Sequence, residues 1–380
     1  MTDLLMQPVG IITGYVIPAL IVLTVVVFIH ELGHFLVARW CGIRVAAFSI
    51  GFGRELFGFN DRRGTRWKVS LIPLGGYVRF EGDENAASIP DQAELDQVPP
   101  ERRAGLFHFA ALWRRAAVVA AGPIANFILA IVVFAVLFGT VGKPMTTPRA
   151  DSVVAGSPAE QAGIRPGDRI VAIDGQAIES FSEIQRIVTL SAGSPLTITV
   201  ERGGERMDLT ATPRREQVPD GFGGTQRVGI LGISRTMNAG DVVFETFGPV
   251  GAVREGVRET WEIIDRTLTY VGRLFRGRET ADQLSGPLRV VQVSGTVASS
   301  GGAVGLVHLM AILSVSIGLL NLFPIPMLDG GHLVFYAIEA IRGRPLSARA
   351  QELGFRIGFA LVLMLFMFVT FNDIVKISGI

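Results

Sequence analysis

Residues 11–34 read IITGYVIPALIVLTVVVFIHELGH. The run from Ile11 to Ile29 carries no charged side chain, and about 20 predominantly apolar residues in a helix cross the hydrocarbon core of a bilayer. His30, Glu31 and His34 follow directly, although an ionisable side chain at membrane depth costs about 2.5–3.5 kcal/mol. This stretch therefore predicts a membrane-spanning helix that ends in a functional polar cluster.

The composition also indicates a membrane protein. Of the 380 residues, 49% are hydrophobic and 18% are charged, whereas soluble chains carry about 25% charged residues. Three further apolar stretches cover residues 116–141, 304–322 and 359–371. We therefore expect a polytopic α-helical membrane protein with about four transmembrane helices. The net charge of +1 does not indicate nucleic acid as a partner, and Cys41, the single cysteine, excludes an intrachain disulfide.

The distribution of basic residues predicts the orientation. Lys and Arg accumulate in short cytoplasmic loops; residues 39–115 hold twelve of them, and the N-terminal tail holds none. The predicted topology places the N-terminus outside, residues 39–115 in the cytoplasm and residues 142–303 outside. The 330s to 350s then lie inside, and the C-terminus lies outside.

His30-Glu31-Leu32-Gly33-His34 is an HExxH motif. Positions i and i+4 lie on one face of a helix, so both imidazoles can share one ion. Zinc suits imidazole and carboxylate ligands, and a catalytic zinc takes three protein ligands plus water. We predict a Zn²⁺ site with His30 and His34 as ligands and Glu31 as the general base.

The third ligand has three candidates. Asp329 follows two prolines that break the third apolar stretch, and a broken membrane helix is tolerated where its backbone lines a cavity. Glu55 lies 21 residues past His34, but in a Gly-rich strand or turn pattern within a basic loop. His332 is interpreted as a polar group where the helix restarts. Asp329 is the favoured ligand.

A β-hairpin with its turn at Gly75-Gly76 is predicted over residues 67–80. An exposed edge of such a hairpin can pair with an extended substrate by strand addition, which makes Gly75, Gly76 and Tyr77 candidate substrate-binding residues. The alternative is a plain cytoplasmic hairpin.

Residues 146–235 are predicted to form one α+β domain. Ser157-Pro158 starts a short helix that Gly163 ends, and a strand over Ile170–Ile173 turns at Asp174-Gly175. The stretch 156–175 is similar to the core of a PDZ domain, so one PDZ domain is expected. A passive spacer that limits access is the alternative.

Residues 251–275 place their apolar side chains on one helical face and charges on the remainder. This pattern predicts an amphipathic helix lying on the outer leaflet. A core helix of the soluble domain is the alternative.

Six segments in order along the chain resemble the site-2 protease family of intramembrane zinc metalloproteases, of the bacterial RseP type. They are HELGH (30–34), FSIGFG (48–53), GGYVRF (75–80), AGPIANF (121–127), SGPLRV (285–290) and NLFPIPMLDGG (321–331). The resemblance implies that Asp329 is the third zinc ligand, that Glu31 is the general base and that Asn321 contacts the substrate backbone. It also implies a membrane-associated β-hairpin and an active site that opens toward the cytoplasm.

These interpretations define a predicted domain order. It comprises a first transmembrane helix with HExxH (1–38), a β-hairpin region (39–115), a second transmembrane helix (116–141), a PDZ domain (146–235), an amphipathic interfacial helix and linker (246–300), and the third and fourth transmembrane helices with the LDGG motif (304–380).

The expected function is regulated intramembrane proteolysis of single-pass membrane proteins after a first extracytoplasmic cut. The expected location is the bacterial inner membrane, with the PDZ domain in the periplasm. Expected partners are transmembrane substrates, such as anti-sigma factors or signal-peptide remnants, and membrane lipid. One alternative is a PDZ-bearing membrane scaffold or chaperone with a structural metal site. A second is a conventional protease that acts on soluble substrates at the membrane face.

Overall fold

The computed structural model describes residues 10–82, 98–99, 103–145, 147–178, 180–219, 225–234, 243–276 and 286–378. The chain divides into two compact units. We call the first the helical unit (Met1–Val136, Val253–Gly272 and Ser285–Asp373) and the second the sheet unit (Leu137–Ala252, Arg273–Leu284 and Ile374–Ile380).

The helices and strands follow in chain order. The helices are α1 (Ile17–Trp40, preceded by a π-helical turn at Ile12–Val16), α2 (Leu112–Thr140), α3 (Pro158–Gln161), α4 (Phe181–Leu190), α5 (Pro249–Phe275), α6 (Pro287–Asn321), α7 (Asp329–Arg342) and α8 (Ala348–Ser378). The strands are β1 (Val45–Asn60), β2 (Arg66–Phe80), β3 (Lys143–Met145), β4 (Ser152–Val153), β5 (Arg169–Ile173), β6 (Gln176–Ala177), β7 (Leu196–Arg202), β8 (Glu205–Ala211), β9 (Arg214–Pro219), β10 (Thr225–Ile230), β11 (Ile233–Ser234) and β12 (Val243–Glu245).

Within the described residues, four helices are long and apolar enough to cross a membrane: Ile12–Trp40, Leu112–Thr140, Pro287–Asn321 and Arg349–Lys376. This confirms the expected number of spans. Residues 287–300, which were expected to be linker, are helical, because α6 already begins at Pro287. Gly302 adopts φ 56° and ψ −146° inside α6, and this kink separates a polar first half from the apolar second half.

The spanning helices approach one another at small residues. A Cβ added at Gly33 of α1 would lie 2.4 Å from the carbonyl oxygen of Ala121 in α2. On the other side of α2, Ser314 of α6 donates a hydrogen bond to the Asn126 backbone carbonyl at 2.8 Å. Small and hydroxyl-bearing residues allow such close backbone contact between membrane helices. This packing places α1, α2 and α6 side by side.

The start of α6 is held by α8. The Asp373 carboxylate is buried and accepts backbone N–H bonds from Gly286 at 3.0 Å and from Arg289 at 2.9 Å. These N–H groups belong to the first turn of the helix, which has no intrahelical acceptors for them. A side chain distant in sequence therefore caps α6.

Strands β1 and β2 pair along most of their length and are joined by a turn. The turn lies at residues 61–65, where Asp61 Oδ1 accepts hydrogen bonds from the backbone N–H of Arg63 at 2.8 Å and of Thr65 at 3.1 Å. The predicted reversal at Gly75-Gly76 is present, since residues 66–69 and 76–80 pair with the same stretch of β1 in opposite senses and Gly75 adopts φ 101°. The predicted pairing is wrong, because the two arms lie on either side of residues 47–50 and do not pair with each other. An aspartate that bonds to the following backbone is itself a turn-forming signal.

Close packing explains the glycine at position 76. A Cβ there would lie 2.7 Å from the Ser49 carbonyl oxygen and 3.4 Å from Cγ of Glu31. The root of the hairpin packs on α1 and α2 through a core that includes Phe35, Phe48 and Val118. The hairpin is therefore fixed beside the HExxH turn of α1.

The sheet unit contains a four-stranded sheet of order β6-β5-β7-β8. Its core includes Ile170, Ile184 and Ile198, all buried. Ser157 caps α3 by accepting the Glu160 N–H at 3.3 Å, and Asp174 (φ 50°) turns the chain from β5 to β6. The predicted helix start, strand and turn are confirmed, while assignment of this unit to the PDZ family stays a prediction.

Helix α5 exposes the apolar face that the sequence predicted. Val253, Val257, Trp261 and Leu268 are exposed. A different face packs closely on α2, since a Cβ added at Gly256 would lie 2.7 Å from the Ile131 carbonyl oxygen. The predicted helix is present, and its position on the outer leaflet stays a prediction.

Candidate metal centre

Three side chains from two helices converge at one point in the helical unit. His30 and His34 lie on adjacent turns of α1, with their Nε2 atoms 3.3 Å apart. Oδ2 of Asp329, at the start of α7, lies 3.1 Å from Nε2 of His30 and 3.6 Å from Nε2 of His34. One ligand atom from each residue lies within 4.8 Å of the other two. The helical spacing of four thus brings both imidazoles to the same carboxylate.

The donor set fits a divalent metal. Within the described part of the chain, Asp329 Oδ2 is buried and accepts no hydrogen bond, although a buried carboxylate needs such compensation. His34 Nδ1 lies 2.8 Å from the Val118 carbonyl oxygen. A carbonyl oxygen can only accept, so Nδ1 carries the proton and its N–H donates a hydrogen bond to the carbonyl, which leaves the Nε2 lone pair free to bind a metal. Two imidazoles and one carboxylate form a ligand set suited to catalytic zinc.

Helix α2 provides room for the imidazoles. A Cβ added at Gly122 would lie 2.3 Å from His34 Nε2 and 2.8 Å from His30 Cε1. Any side chain at this position would occupy the space where the two rings meet. This role of Gly122 was not predicted from the sequence, although the AGPIANF segment places a glycine four residues before an asparagine.

A cavity of about 470 Å³ opens on the three side chains. It brings together most of the predicted site residues: His30, Glu31, His34, Gly76, Tyr77, Asn321 and Asp329 all line it. Gly75 is not among the lining residues, and a Cβ added there would lie 2.5 Å from Cε2 of Phe52. The structure therefore separates Gly75 from the other candidates.

The two rival ligands occupy different surroundings. Glu55 lies in β1 and forms an ion pair with Arg66, and neither residue lines the cavity. His332 lies one turn into α7 and lines the cavity, with its ring centroid 5.3 Å from that of Phe355. It is outside the three-residue cluster. Asp329 is the candidate carboxylate that the fold brings to both histidines.

The loop between α6 and α7 holds Asp329 in place. Met327 adopts φ 100°, a left-handed conformation that is uncommon for a residue with a side chain. A Cβ added at Gly330 would lie 2.2 Å from the Leu322 carbonyl oxygen, and one at Gly331 would lie 2.3 Å from the Ile325 carbonyl oxygen. The glycines that follow Asp329 thus let the chain fold back tightly and restart as a helix.

The comparisons with known proteins agree with this geometry. Residues 18–365 match the family model described as Peptidase family M50. A protein of Agrobacterium fabrum named "Putative zinc metalloprotease" is 54% identical over 375 residues, which cover 99% of each chain. A Rhizobium meliloti protein of the same name is 52% identical over 366 residues, covering 96% of this chain and 98% of the relative. "Metalloprotease MmpA" of Caulobacter vibrioides is 46% identical over 376 residues, covering 93% of this chain and 94% of the relative.

These matches confirm the predicted family, enzyme class and metal. With four candidate spans in the described residues and a family match over most of its length, the protein is a polytopic membrane protein. The chain belongs to peptidase family M50, the site-2 proteases, and is a zinc metalloprotease.

Proposed function

We propose that this protein cleaves single-pass membrane proteins within or beside the bilayer, with zinc held by His30, His34 and Asp329 and with Glu31 as the general base. The observation that carries the proposal is the convergence of three ligand atoms within 4.8 Å of one another. They face a cavity that Glu31 and Asn321 also line. This arrangement supplies metal ligands, a proton acceptor and a substrate-facing amide in one place.

Zinc, when bound, supplies a Lewis acid that polarises the scissile carbonyl and acidifies water. Glu31 directly follows the proposed ligand His30 in the sequence. Its side chain faces the same cavity as the three proposed ligands. Its carboxylate accepts a proton from the attacking water and then delivers that proton to the leaving amine. A carboxylate adjacent to a ligand is what amide hydrolysis requires and what a structural metal site does not.

Substrate is bound in extended form. In a helical substrate the backbone N–H and C=O groups hydrogen-bond to one another. The helix must therefore unwind before water can attack a peptide bond. Gly76 and Tyr77 on β2 line the cavity, and an extended chain beside them can add as a further strand. Gly75, the residue before Gly76 on β2, belongs to the same strand edge and pairs with the extended substrate there. The Asn321 amide holds the substrate backbone near the scissile bond.

The predicted topology supports a placement of each region relative to the bacterial inner membrane. In this proposal the active site opens toward the cytoplasm, and the sheet unit is a PDZ domain in the periplasm. Its two Ser-capped helices and four-stranded sheet support that assignment. The exposed apolar face of α5 contacts lipid of the outer leaflet. Substrates such as anti-sigma factors or signal-peptide remnants reach the site after a first cut removes their bulky outer domains, as in regulated intramembrane proteolysis.

A membrane scaffold with a structural metal is less well supported. Structural zinc sites are closed by four protein ligands, whereas the ligand cluster within the described residues has three members. The cluster also faces a cavity large enough for water and substrate.

A reconstituted cleavage assay tests the proposal. A single-span reporter in proteoliposomes would be incubated with the wild type, Glu31→Gln, Glu55→Gln and the wild type plus a zinc chelator. We expect product with the wild type and with Glu55→Gln, and loss of product in the other two samples, with recovery when zinc is restored. Cleavage by Glu31→Gln at the wild-type rate would refute the assigned base. Cuts confined to aqueous loops of the reporter would favour a conventional protease.

A further inference from the structure

Asn126 is a fully buried polar residue that the mechanism above does not use. It lies in α2, with Nδ2 3.3 Å from His30 Nδ1. Within the described residues, its Oδ1 is buried and accepts no hydrogen bond. A buried amide oxygen without a donor costs about 1–3 kcal/mol, so this side chain needs an explanation.

When a metal binds His30, the imidazole itself becomes the donor that Asn126 Oδ1 needs. If His30 presents the Nε2 lone pair to a metal, its proton must reside on Nδ1, because a neutral imidazole carries one N–H. An Nδ1–H group needs an acceptor, and an amide nitrogen cannot accept. The oxygen and nitrogen of a carboxamide have nearly the same shape, so a half-turn about the Cβ–Cγ bond of Asn126 places Oδ1 against Nδ1–H. That turn pairs Oδ1 with the Nδ1–H of His30 and moves the amide nitrogen to the position that Oδ1 held.

We propose that Asn126 is a positioning residue that sets the tautomer and ring orientation of His30 by accepting its Nδ1–H. This inference rests on the proposed role of His30 as a zinc ligand and extends it to a residue that does not touch the metal. The Val118 carbonyl does the same for His34 at 2.8 Å. Each histidine is thus oriented by a different kind of acceptor, one from the backbone and one from a side chain.

The three features of α2 that serve the histidines are spaced four residues apart. Val118, Gly122 and Asn126 lie on one face of the helix. The first orients one ring, the second leaves space for both, and the third orients the other ring. From the α6 side, the Ser314 hydroxyl donates a hydrogen bond to the Asn126 backbone carbonyl at 2.8 Å. Gly318 of α6 also packs closely, since a Cβ added there would lie 3.1 Å from the Asn126 Cβ. Asn126 is therefore held firmly between α1 and α6.

Two substitutions separate this role from simple packing. Asn126→Leu keeps the approximate volume but offers no acceptor, whereas Asn126→Asp offers acceptors only. Zinc affinity of the purified full-length protein in detergent would be measured by competition with a chromogenic chelator. We expect Asn126→Leu to bind zinc about 10–100-fold more weakly, which is the usual effect of losing a group that orients a metal ligand. Asn126→Asp should bind at least as tightly as the wild type.

The order of the variants decides the inference. If the amide acts as a donor to His30, Asn126→Asp will be the weakest binder, and the proposal is wrong. Ser314→Ala serves as the packing control, because it removes a hydrogen bond to the Asn126 backbone and leaves the side chain; we expect lower thermal stability with unchanged zinc affinity. Should Asn126→Leu fail to fold, the comparison of Asn126→Asp with the wild type still decides between acceptor and donor.

The same titration distinguishes this inference from the proposed function. If wild type binds zinc, His30→Ala abolishes binding and Asn126→Leu binds as tightly as wild type, the positioning role is refuted while the zinc site stands. If His30→Ala binds zinc as the wild type does, the proposed ligand set itself is wrong, and the role of Asn126 falls with it.

Discussion

Arg115 in α2 forms an ion pair with Glu339 in α7, at 2.5 Å between Nη2 and Oε1, and its guanidinium lies 5.1 Å above the ring of Tyr336. Both charged side chains are largely buried. The pair joins the helix that carries Gly122 to the helix that begins with Asp329. It therefore links the two elements whose spacing determines the size of the metal centre.

Removal of one partner should destabilise the protein more than removal of both. Breaking a buried pair leaves an uncompensated charge and costs about 3–5 kcal/mol, whereas replacing both partners with apolar residues is often nearly neutral. We expect Glu339→Leu and Arg115→Met each to lower the unfolding free energy by that order, and the double variant to recover most of it. Unfolding in mixed micelles would measure the cycle. Additive losses in the double variant would show that the two side chains act independently.

Gly122→Ala should abolish zinc binding without destabilising α2. The added Cβ would lie 2.3 Å from His34 Nε2, whereas alanine is more favourable than glycine in a helix by about 1 kcal/mol. Gly139→Ala is the matched control on the same helix, because its added Cβ meets ordinary contacts at 3.6 Å and beyond. Metal analysis and thermal unfolding of both purified variants would check this. Full zinc occupancy in Gly122→Ala would show that the rings can move aside.

Much of this centre could be predicted because its signals are local. His30 and His34 are one helical turn apart, so spacing alone predicts their meeting. The role of Gly122 could not be predicted in this way, since its Cβ position conflicts with rings from another helix. The same limit explains the mispredicted pairing of residues 67–80: Gly75-Gly76 indicates a reversal, but the stretch of β1 that lies between the two arms, residues 47–50, comes from elsewhere in the chain.

The helix that precedes Gly302 in α6 was not predicted, for a related reason. A hydropathy search finds helices that are apolar along their length. The first half of α6 contains Ser and Thr side chains that hydrogen-bond to their own helix backbone, as Ser294 does to the Val290 carbonyl at 2.7 Å. Its N-terminal cap comes from Asp373 in α8, which lies 84 residues from Arg289. Neither feature leaves a periodic apolar pattern, so the helix there depends on tertiary contacts.

Asp329→Ala and Glu55→Ala should differ in metal content. Asp329 Oδ2 lies within 3.6 Å of both histidine Nε2 atoms, whereas the Glu55 carboxylate pairs with Arg66 in the hairpin and is partly exposed. We expect Asp329→Ala to lose stoichiometric zinc and Glu55→Ala to retain it, with a stability change below about 1 kcal/mol for the exposed pair. Elemental analysis after dialysis would decide. Zinc retained by Asp329→Ala together with loss in Glu55→Ala would reverse the assignment.

Asp168 should make the stability of the sheet unit depend on pH in the acid range. Burial alone would raise the pKa of its carboxyl, but hydrogen bonds from the Arg202 guanidinium, at 2.7 Å, and from the Arg165 backbone N–H, at 2.8 Å, hold that pKa below its usual value. The folded state therefore binds the proton more weakly than the unfolded state, whose pKa is about 3.9. The stabilisation is fully present above the unfolded pKa and is lost as pH falls through the folded pKa.

Asp168→Asn tests this linkage, because it removes the charge and keeps the shape. We expect hydrogen-exchange protection of β5 and β7 in the full-length variant to be lower than in wild type at pH 7, with the difference shrinking below about pH 4 as the wild-type carboxyl protonates. Asp208→Asn is the control, since Asp208 is exposed and accepts a hydrogen bond from Thr199; surface changes of this kind usually stay within about 0.5 kcal/mol. A difference between Asp168→Asn and wild type that stays constant from pH 7 to pH 3 would show that the carboxylate charge does not stabilise this unit.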